Sequence, residues 1–252
     1  MKILMHLRYL GTQYCGYQIQ PNGITIQQRL NEATEALLGY PCDIVGCSRT
    51  DSGVHANHFC ATGAEKGKGY LNTTIPVERF PLAIAQFLPE DIAVFDAEWV
   101  SDEFHPRYDV RSKEYVYRIW NHPCKNPFLT DRAWHYPKPI SDEALLRMNR
   151  AAAHLCGTHD FTSYMAIDTK VTDAVRTIYE AEVSRRGDVI EFRVSANGFL
   201  YNMVRILTGT LIAVAEGRLA PEDIDGLTAA KDRSRAGITV PSRGLYLNRV
   251  FY

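Results

Sequence analysis

The chain has 252 residues, of which 46% are hydrophobic and 23% are charged, a composition typical of one large globular domain or two small ones. No stretch is long and apolar enough to span a bilayer, and the early charges at Lys2 and Arg8 exclude a secretory signal peptide, so a soluble cytoplasmic protein is predicted. The 28 basic and 29 acidic residues give a formal net charge of −1, which argues against a broadly basic nucleic-acid-binding surface but permits a local basic cleft.

The first half of the chain is predicted to contain five strands and one long helix. Strands are predicted where apolar and polar residues alternate with period two. They cover residues 2–9, 43–47, 55–62, 92–100 and 113–120. A helix is predicted over residues 26–38, because Thr25 is a suitable N-cap and Gly39 a suitable C-terminal stop.

The second half is predicted to combine three helices with three further strands. Ser141 opens a helix that continues to about residue 155 and ends at Gly157. Another helix is predicted over residues 198–215, and a third follows Pro221, which suits the first turn of a helix. The strands cover residues 177–185, 188–197 and 245–252.

This order of elements predicts an α+β fold with a largely antiparallel sheet, because strands neighbour one another in hairpin-like groups and do not alternate regularly with helices. We expect two related α/β subdomains that form one continuous catalytic unit, residues 1–120 and 121–252. The boundary is predicted in the loop-rich stretch 121–139, which contains four prolines.

The cysteines and histidines predict neither a metal site nor a redox site. None of the six cysteines forms a Cys-x-x-Cys pair, and the histidines show no paired ligand spacing. The chain also has no glycine-rich phosphate loop. We therefore predict no metal and no cofactor, with the cysteines serving as small hydrophobic residues.

The segment most informative about chemistry is the turn between the predicted strands 43–47 and 55–62. It presents the carboxylate of Asp51, and the guanidinium of Arg49 stands two residues earlier. A neighbouring cation favours the ionised carboxylate that a nucleophile or base requires. The alternative is that Asp51 only closes an Asx-turn in which Gly53 adopts a positive φ.

Residues 49–56, Arg-Thr-Asp-Ser-Gly-Val-His-Ala, resemble the active-site pattern G-R-T-D-[AS]-G-V-H-A of the TruA family of tRNA pseudouridine synthases. Further blocks similar to that family follow in the family's order along nearly the whole chain. They are Tyr-Cys-Gly-Tyr-Gln-Ile-Gln at 14–20, Thr-Ile-Gln at 25–27, Phe-His-Pro-Arg-Tyr at 104–108, Glu-Tyr-Val-Tyr at 114–117, Asp-Phe-Thr-Ser at 160–163, Phe-Leu-Tyr-Asn-Met-Val-Arg at 199–205 and Gly-Leu-Tyr-Leu at 244–247.

The resemblance implies a pseudouridine-synthase-like fold with an active-site cleft between the two subdomains. It also implies isomerisation of uridine to pseudouridine on the 3′ side of the tRNA anticodon stem-loop by a homodimer, with tRNA as the partner and no membrane. This reaction imports no group and oxidises nothing, which agrees with the predicted lack of metal and cofactor. Whether the carboxylate attacks the sugar, attacks the base or removes the C2′ proton stays open.

The resemblance also assigns roles to residues. It makes Asp51 the nucleophile and Arg205 its cationic partner, on a predicted helix face that Asn202 and Gly209 share. Tyr115 and Tyr117 point to the same side of a strand, and the family pattern selects Tyr115 as the aromatic ring that stacks on the base. Leu245 is expected to supply an apolar wall of the pocket, and phosphate contacts are expected from Arg49, Arg107 and Lys113.

Three positions depart from the family pattern. Ser48 stands in place of Gly, Tyr17 in place of Trp, and Glu114 in place of a basic residue. The first two are small changes near the catalytic turn. The third removes a possible phosphate contact, so its effect falls on RNA affinity and not on the chemistry.

Two other functions would account for parts of the sequence. Thr50-Asp51-Ser52-Gly53 resembles the loop of an aspartic protease, but that chemistry needs two carboxylates that share a proton, and the predicted helices do not suit its all-β fold. A non-catalytic RNA-binding module would explain the basic and aromatic residues but not the intact Arg-Thr-Asp turn. His55 invites an acid–base role, although a histidine at the start of a strand is more often a hydrogen-bonded structural residue.

Overall fold

The computed structural model describes residues 1–167 and 173–252, which form two compact units. The first unit is Met1–Arg111 together with Leu247–Tyr252, and the second is Ser112–Tyr246. The predicted α+β class with a largely antiparallel sheet is confirmed. The division differs from the boundary predicted after residue 120, because residues 113–120 of the strand Ser112–Trp120 pair with a strand of the second unit.

Strands of the first unit follow the order β4-β1-β3-β10, and β2 pairs with the far end of β3. Their bounds are Lys2–Tyr9 for β1, Cys42–Gly46 for β2, His55–Glu65 for β3, Ile92–Val100 for β4 and Leu245–Phe251 for β10. Strand β1 is antiparallel to both β3 and β4. Strand β10 lies in this unit from Leu247 onward.

Two helices pack against this sheet, one on β2 and the other on β4. Helix α1 (Ile26–Leu38) begins at Thr25, whose side chain accepts a hydrogen bond from the backbone N–H of Gln28. It ends at Gly39, which has the left-handed φ of 79° expected of a helix stop. Helix α2 (Phe80–Ile84), which was not predicted, is one turn long and buries both of its terminal residues.

The second unit has the strand order β5-β9-β8-β7, and β6 runs parallel to β5. Their bounds are Ser112–Trp120 for β5, Trp134–His135 for β6, Gly157–Asp160 for β7, Val175–Arg186 for β8 and Val189–Ala196 for β9. The antiparallel pairing of β5 with β9 places Tyr115 opposite Val194 and Tyr117 opposite Phe192. The short strands β6 and β7 were not predicted.

The described part of the second unit contains three α-helices: α3 (Asp142–Ala153), α4 (Met203–Ala215) and α5 (Asp223–Ala230). Helix α4 begins five residues later than predicted, because Asn202 adopts a left-handed conformation with φ of 60° and breaks the helical path before it. Gly157 was predicted to stop α3 but opens β7, and α3 ends earlier, at Ala153. Among the described residues, no helix is both long and apolar enough to cross a bilayer.

Candidate active site

The predicted catalytic turn joins β2 to β3 in the first unit. After the last β2–β3 pair, the Cys47 N–H donates to the Cys60 carbonyl at 2.8 Å, and the chain then leaves the sheet. The turn closes where the Val54 N–H donates to the Asp51 carbonyl at 3.1 Å, with Gly53 at a positive φ of 76°. Asp51 is half-buried at this turn, so its carboxylate is held by a defined backbone while keeping contact with solvent.

A second segment, residues 11–17, cradles this turn through backbone contacts. The Tyr17 N–H donates to the Thr50 carbonyl at 3.1 Å, and the Gly53 N–H donates to the Tyr14 carbonyl at 3.3 Å. Gly16 has a positive φ of 86°, and a Cβ there would lie 2.5 Å from the Thr50 carbonyl oxygen. The motif at 14–17 therefore fixes the backbone on both sides of Asp51.

Side chains support the same cradle, and the sequence did not predict their contacts. The Tyr9 hydroxyl lies 2.9 Å from the Thr50 hydroxyl, and both residues are buried. His55 is fully buried, and its Nδ1 accepts a hydrogen bond of 2.9 Å from the Gly11 N–H. Because a nitrogen that accepts a hydrogen bond carries no proton, Nδ1 of His55 is unprotonated. The contact supports the structural role of His55 over the acid–base role.

Beside the turn lies a cavity of about 170 Å³. Arg49 from the turn and Arg107 from the 104–109 loop both line it, so the structure brings two of the three predicted phosphate contacts to one place. Its other lining residues are Tyr17, Gln18, Gln27, Ile44, Val45, Gly46, Ser48, His105 and Tyr108. Both arginines are exposed, as phosphate-binding side chains need to be.

The loop over residues 104–109 carries aromatic rings as well as charge. The rings of His105 and Tyr108 are 4.2 Å apart between centroids, and the Arg107 guanidinium lies 5.9 Å from the centre of the Tyr108 ring. His105 Nδ1 accepts from the Arg107 and Tyr108 N–H groups, which fixes the loop. Tyr108 is 75% exposed, an unusual state for a tyrosine and a suitable one for stacking on an RNA base.

Tyr108 and His105 were not singled out as site residues by sequence reasoning. The signal was available, because both belong to the Phe-His-Pro-Arg-Tyr block, in which only Arg107 was chosen.

Tyr17, one of the departures from the family pattern, is buried, and its ring stacks on Phe59 with centroids 4.3 Å apart. Tyr17 also lines the cavity.

The remaining predicted residues, Arg205, Tyr115, Leu245 and Lys113, belong to the second unit. Arg205 stands in the first turn of α4, where every other residue from Met203 to Val214, all described, is buried. Its Nε donates to the Val240 carbonyl at 2.7 Å, and its Nη1 donates to the Asn202 side chain at 2.6 Å. These bonds hold the guanidinium in one orientation.

The structure separates the two tyrosines that spacing left equivalent. Tyr117 is fully buried, and its hydroxyl donates to the Pro241 carbonyl at 2.6 Å. Burial raises the pKa of Tyr117 far above its usual value, so the hydroxyl stays protonated. Tyr115 is also buried, at 7% exposure, and its ring meets that of Phe199 edge to face with centroids 5.0 Å apart. These contacts give Tyr117 a structural role.

Leu245 is buried at the start of β10, and Lys113 is half-buried on β5. Glu114, the third departure from the family pattern, is also buried, with its carboxylate 3.7 Å from Arg193 on β9. The negative charge of Glu114, which adjoins Lys113 in the chain, is therefore paired with the positive charge of Arg193.

Comparison with known proteins gives a consistent result. A sequence model described as tRNA pseudouridine synthase matches residues 151–252. Curated proteins described as tRNA pseudouridine synthase A match over the full length. That of Bacillus pumilus (strain SAFR-032) is 42% identical over 100% of this chain and 99% of its own. The protein of Exiguobacterium sp. (strain ATCC BAA-1283 / AT1b) is 44% identical over 100% of this chain and 98% of its own length.

A third relative, from Thermoanaerobacter sp. (strain X514), is 39% identical over 99% of each chain and is described in the same words. Among solved structures, a chain of a Cbf5-Nop10-Gar1 complex matches 98% of this chain and 49% of its own at 13% identity, with a TM-score of 0.40. This structural likeness is too weak to support an argument, whereas the sequence relatives cover both chains at high identity.

Proposed function

This chain belongs to the tRNA pseudouridine synthase A family, and on that premise we propose that it converts uridine to pseudouridine on the 3′ side of the tRNA anticodon stem-loop, with Asp51 as the nucleophile. The observation that carries the proposal is the catalytic turn itself. Residues 11–17 hold the backbone on both sides of the half-buried Asp51, and Arg49 of the same turn lines a cavity together with Arg107.

The reaction sets the requirements that this turn has to meet. The bond between C1′ and N1 breaks, the base turns, a bond forms between C1′ and C5, and the proton on C5 is lost while N1 gains one. No electron donor or acceptor takes part. A carboxylate whose position is fixed in advance meets the need for a nucleophile, because correct orientation removes much of the entropic barrier.

The second unit supplies the other groups of the proposed mechanism. Arg205 keeps Asp51 ionised, a task suited to a guanidinium whose orientation is already fixed by Asn202 and Val240. Tyr115 stacks on the base, and Leu245 provides an apolar wall.

Binding of tRNA uses local charge, because the net charge of −1 gives no overall attraction for phosphate. Arg49 and Arg107 contact the backbone from one cavity, Lys113 adds a third contact, and the exposed Tyr108 ring stacks on an unpaired base. A homodimer places two such surfaces on one tRNA, so that one subunit holds the tRNA body while the other acts on the base. We place this reaction in the cytoplasm, where tRNA is processed.

The test is conversion of an unmodified tRNA transcript by the purified protein, with pseudouridine mapped at single-nucleotide resolution. We expect new pseudouridine confined to the 3′ side of the anticodon stem-loop, and the same positions should be lost in cells that lack the protein. Pseudouridine in another arm of the tRNA would overturn the proposed target site. Absence of any conversion would overturn the assigned reaction.

A further inference from the structure

Two histidines and a cysteine meet on one face of the first unit's sheet. His6 lies on β1, while His58 and Cys60 lie two residues apart on β3, and His6 is the cross-strand partner of Cys60. His6 Nδ1 is 2.8 Å from His58 Nε2, and the Cys60 Sγ is 3.6 Å from each of these nitrogens. Three potential metal ligands thus point at one another.

We propose that His6, His58 and Cys60 bind one zinc ion, which crosslinks strands β1 and β3. Tetrahedral zinc with bonds of about 2.3 Å to sulfur and about 2.0–2.1 Å to nitrogen separates a sulfur and a nitrogen ligand by roughly 3.5–3.6 Å. Both observed Sγ–N distances are 3.6 Å. The two nitrogens, 2.8 Å apart, need to separate to roughly 3.3 Å, a shift that small rotations of the imidazole rings supply.

A carboxylate behind His6 favours this arrangement. Glu98 Oε1 lies 3.2 Å from His6 Nε2, so it accepts the proton that Nε2 carries. His6 Nδ1 is then the unprotonated nitrogen, and it is the one that faces His58 and Cys60. A carboxylate that orients a ligand histidine from its far side is the usual outer partner of zinc-binding histidines.

The surroundings select the kind of ion. Phe95 closes one side, with its ring centre 6.2 Å from His6 and 5.5 Å from His58, and Cys60 is fully buried. The imidazole and thiolate ligands therefore suit a borderline-soft ion such as zinc and not magnesium or calcium.

Binding would exchange one proton for the metal, because the Cys60 thiol releases its proton to solvent when sulfur bonds to zinc. Three protein ligands leave the fourth position to water. An ion here would stabilise the sheet that carries the catalytic turn without touching the reacting groups. The inference therefore does not depend on the pseudouridine reaction.

The experiment uses the full chain without an affinity tag, stripped by a chelator and titrated with zinc against a chromophoric competitor. We expect one ion per chain, a rise in Tm with added zinc, and a sulfur-to-metal charge-transfer band when cobalt(II) replaces zinc. Cys60→Ala and His58→Gln should each weaken zinc binding by at least about 100-fold, and Glu98→Gln by about 10–100-fold.

Cys124→Ala is the matched control, because Cys124 is an exposed cysteine outside the proposed cluster whose backbone N–H donates to His122 Nδ1. It should leave the affinity and the Tm rise unchanged. Zinc binding that is equal in the unsubstituted protein and in Cys60→Ala would overturn the proposal, as would a loss of binding in Cys124→Ala. Where a variant fails to fold, a cobalt(II) spectrum of the unsubstituted protein without the charge-transfer band overturns it equally.

Discussion

Gly16 shows how one residue without a side chain shapes the catalytic turn. Its φ of 86° is left-handed, and its Cα lies against the backbone of Thr50 and Asp51. Two constraints therefore act at one position, since a side chain would strain the backbone and also collide with the turn. Cys15 and Tyr17, on either side, can then donate their N–H groups to Ile24 and Thr50.

We expect Gly16→Ala to lower the free energy of unfolding by about 2–5 kcal/mol, because a left-handed alanine costs about 1–2 kcal/mol and overpacking costs about 1–3 kcal/mol more. Gly39→Ala is the control, since Gly39 has a similar φ of 79° and nothing within 4 Å of an added Cβ. Gly39→Ala should lower the free energy of unfolding only by the cost of a left-handed alanine, about 1–2 kcal/mol. Equal losses for the two variants in urea denaturation would show that Gly16 does not support the turn.

The two tyrosines of β5 should respond differently to loss of the hydroxyl group. Tyr117→Phe removes the bond to the Pro241 carbonyl and should cost about 1–2 kcal/mol of stability, while single-turnover conversion of tRNA stays near normal. Tyr115→Phe keeps the stacking ring, so tRNA binding should persist while proton-transfer steps slow. An inactive Tyr117→Phe beside a fully active Tyr115→Phe would reverse the assignment.

At the scale of elements, the sequence predicted best where local chemistry decides. The bounds of α1, from Thr25 to Gly39, follow from its two caps, and β1 and β4 follow from their alternation. The start of α4 was wrong because Asn202 adopts a left-handed conformation, which side-chain periodicity does not reveal. The two-residue strand β6 is too short for any periodicity.

The sequence also could not predict which side chains meet through the register of paired strands. His58 and Cys60 are close in the chain, but His6 reaches them only because β1 pairs with β3 at one particular register. The cradle formed by residues 11–17 depends likewise on tertiary contacts. The family pattern points to Asp51, Arg49 and Arg107 as candidates, but it did not predict which contacts hold them.

The end of α4 carries a carboxylate whose charge stabilises the second unit. Glu216 accepts hydrogen bonds from Tyr136 at 2.7 Å and Lys138 at 3.1 Å and pairs with Arg218. The Tyr136 hydroxyl first, and then the Arg218 and Lys138 side chains, lower the pKa of Glu216 to about 2. An unfolded glutamate has a pKa of about 4.3, so the stabilisation is complete above that pH and is lost as pH falls towards 2.

Glu216→Gln should therefore lower the free energy of unfolding by about 1 kcal/mol at pH 7, and this difference should shrink between about pH 4.5 and 2. Urea denaturation across that range measures it. Glu180→Gln, an equal change of charge at an exposed position on β8, should show little effect. A difference for Glu216→Gln that stays constant down to pH 2 would contradict the account.

At the scale of the whole molecule, the proposed function links charge to oligomeric state. If a chain with a net charge of −1 binds tRNA through a few local cations, as we propose, each cation should contribute measurably to the salt dependence of binding. The proposed dimer doubles the number of such surfaces that one tRNA can meet.

We expect a dimer in sedimentation, with tRNA affinity that falls as salt rises. Arg107→Ala should weaken binding and reduce the slope of log K against log salt by about 1, because one phosphate contact is lost. Arg150→Ala, an exposed position on α3 outside the cavity, should leave the slope unchanged. A fully active monomer would contradict the dimer, and an unchanged slope for Arg107→Ala would contradict its phosphate contact.

Single-turnover conversion of tRNA by Asp51→Asn tests the central claim most directly. Asparagine keeps the shape of the side chain and removes its charge, so the turn held by Tyr14, Tyr17 and Thr50 should fold as before, with Tm and tRNA affinity nearly unchanged. The account predicts that pseudouridine formation is abolished in this variant. Conversion above a trace level by the purified, folded Asp51→Asn protein would contradict the assignment of Asp51 as the nucleophile.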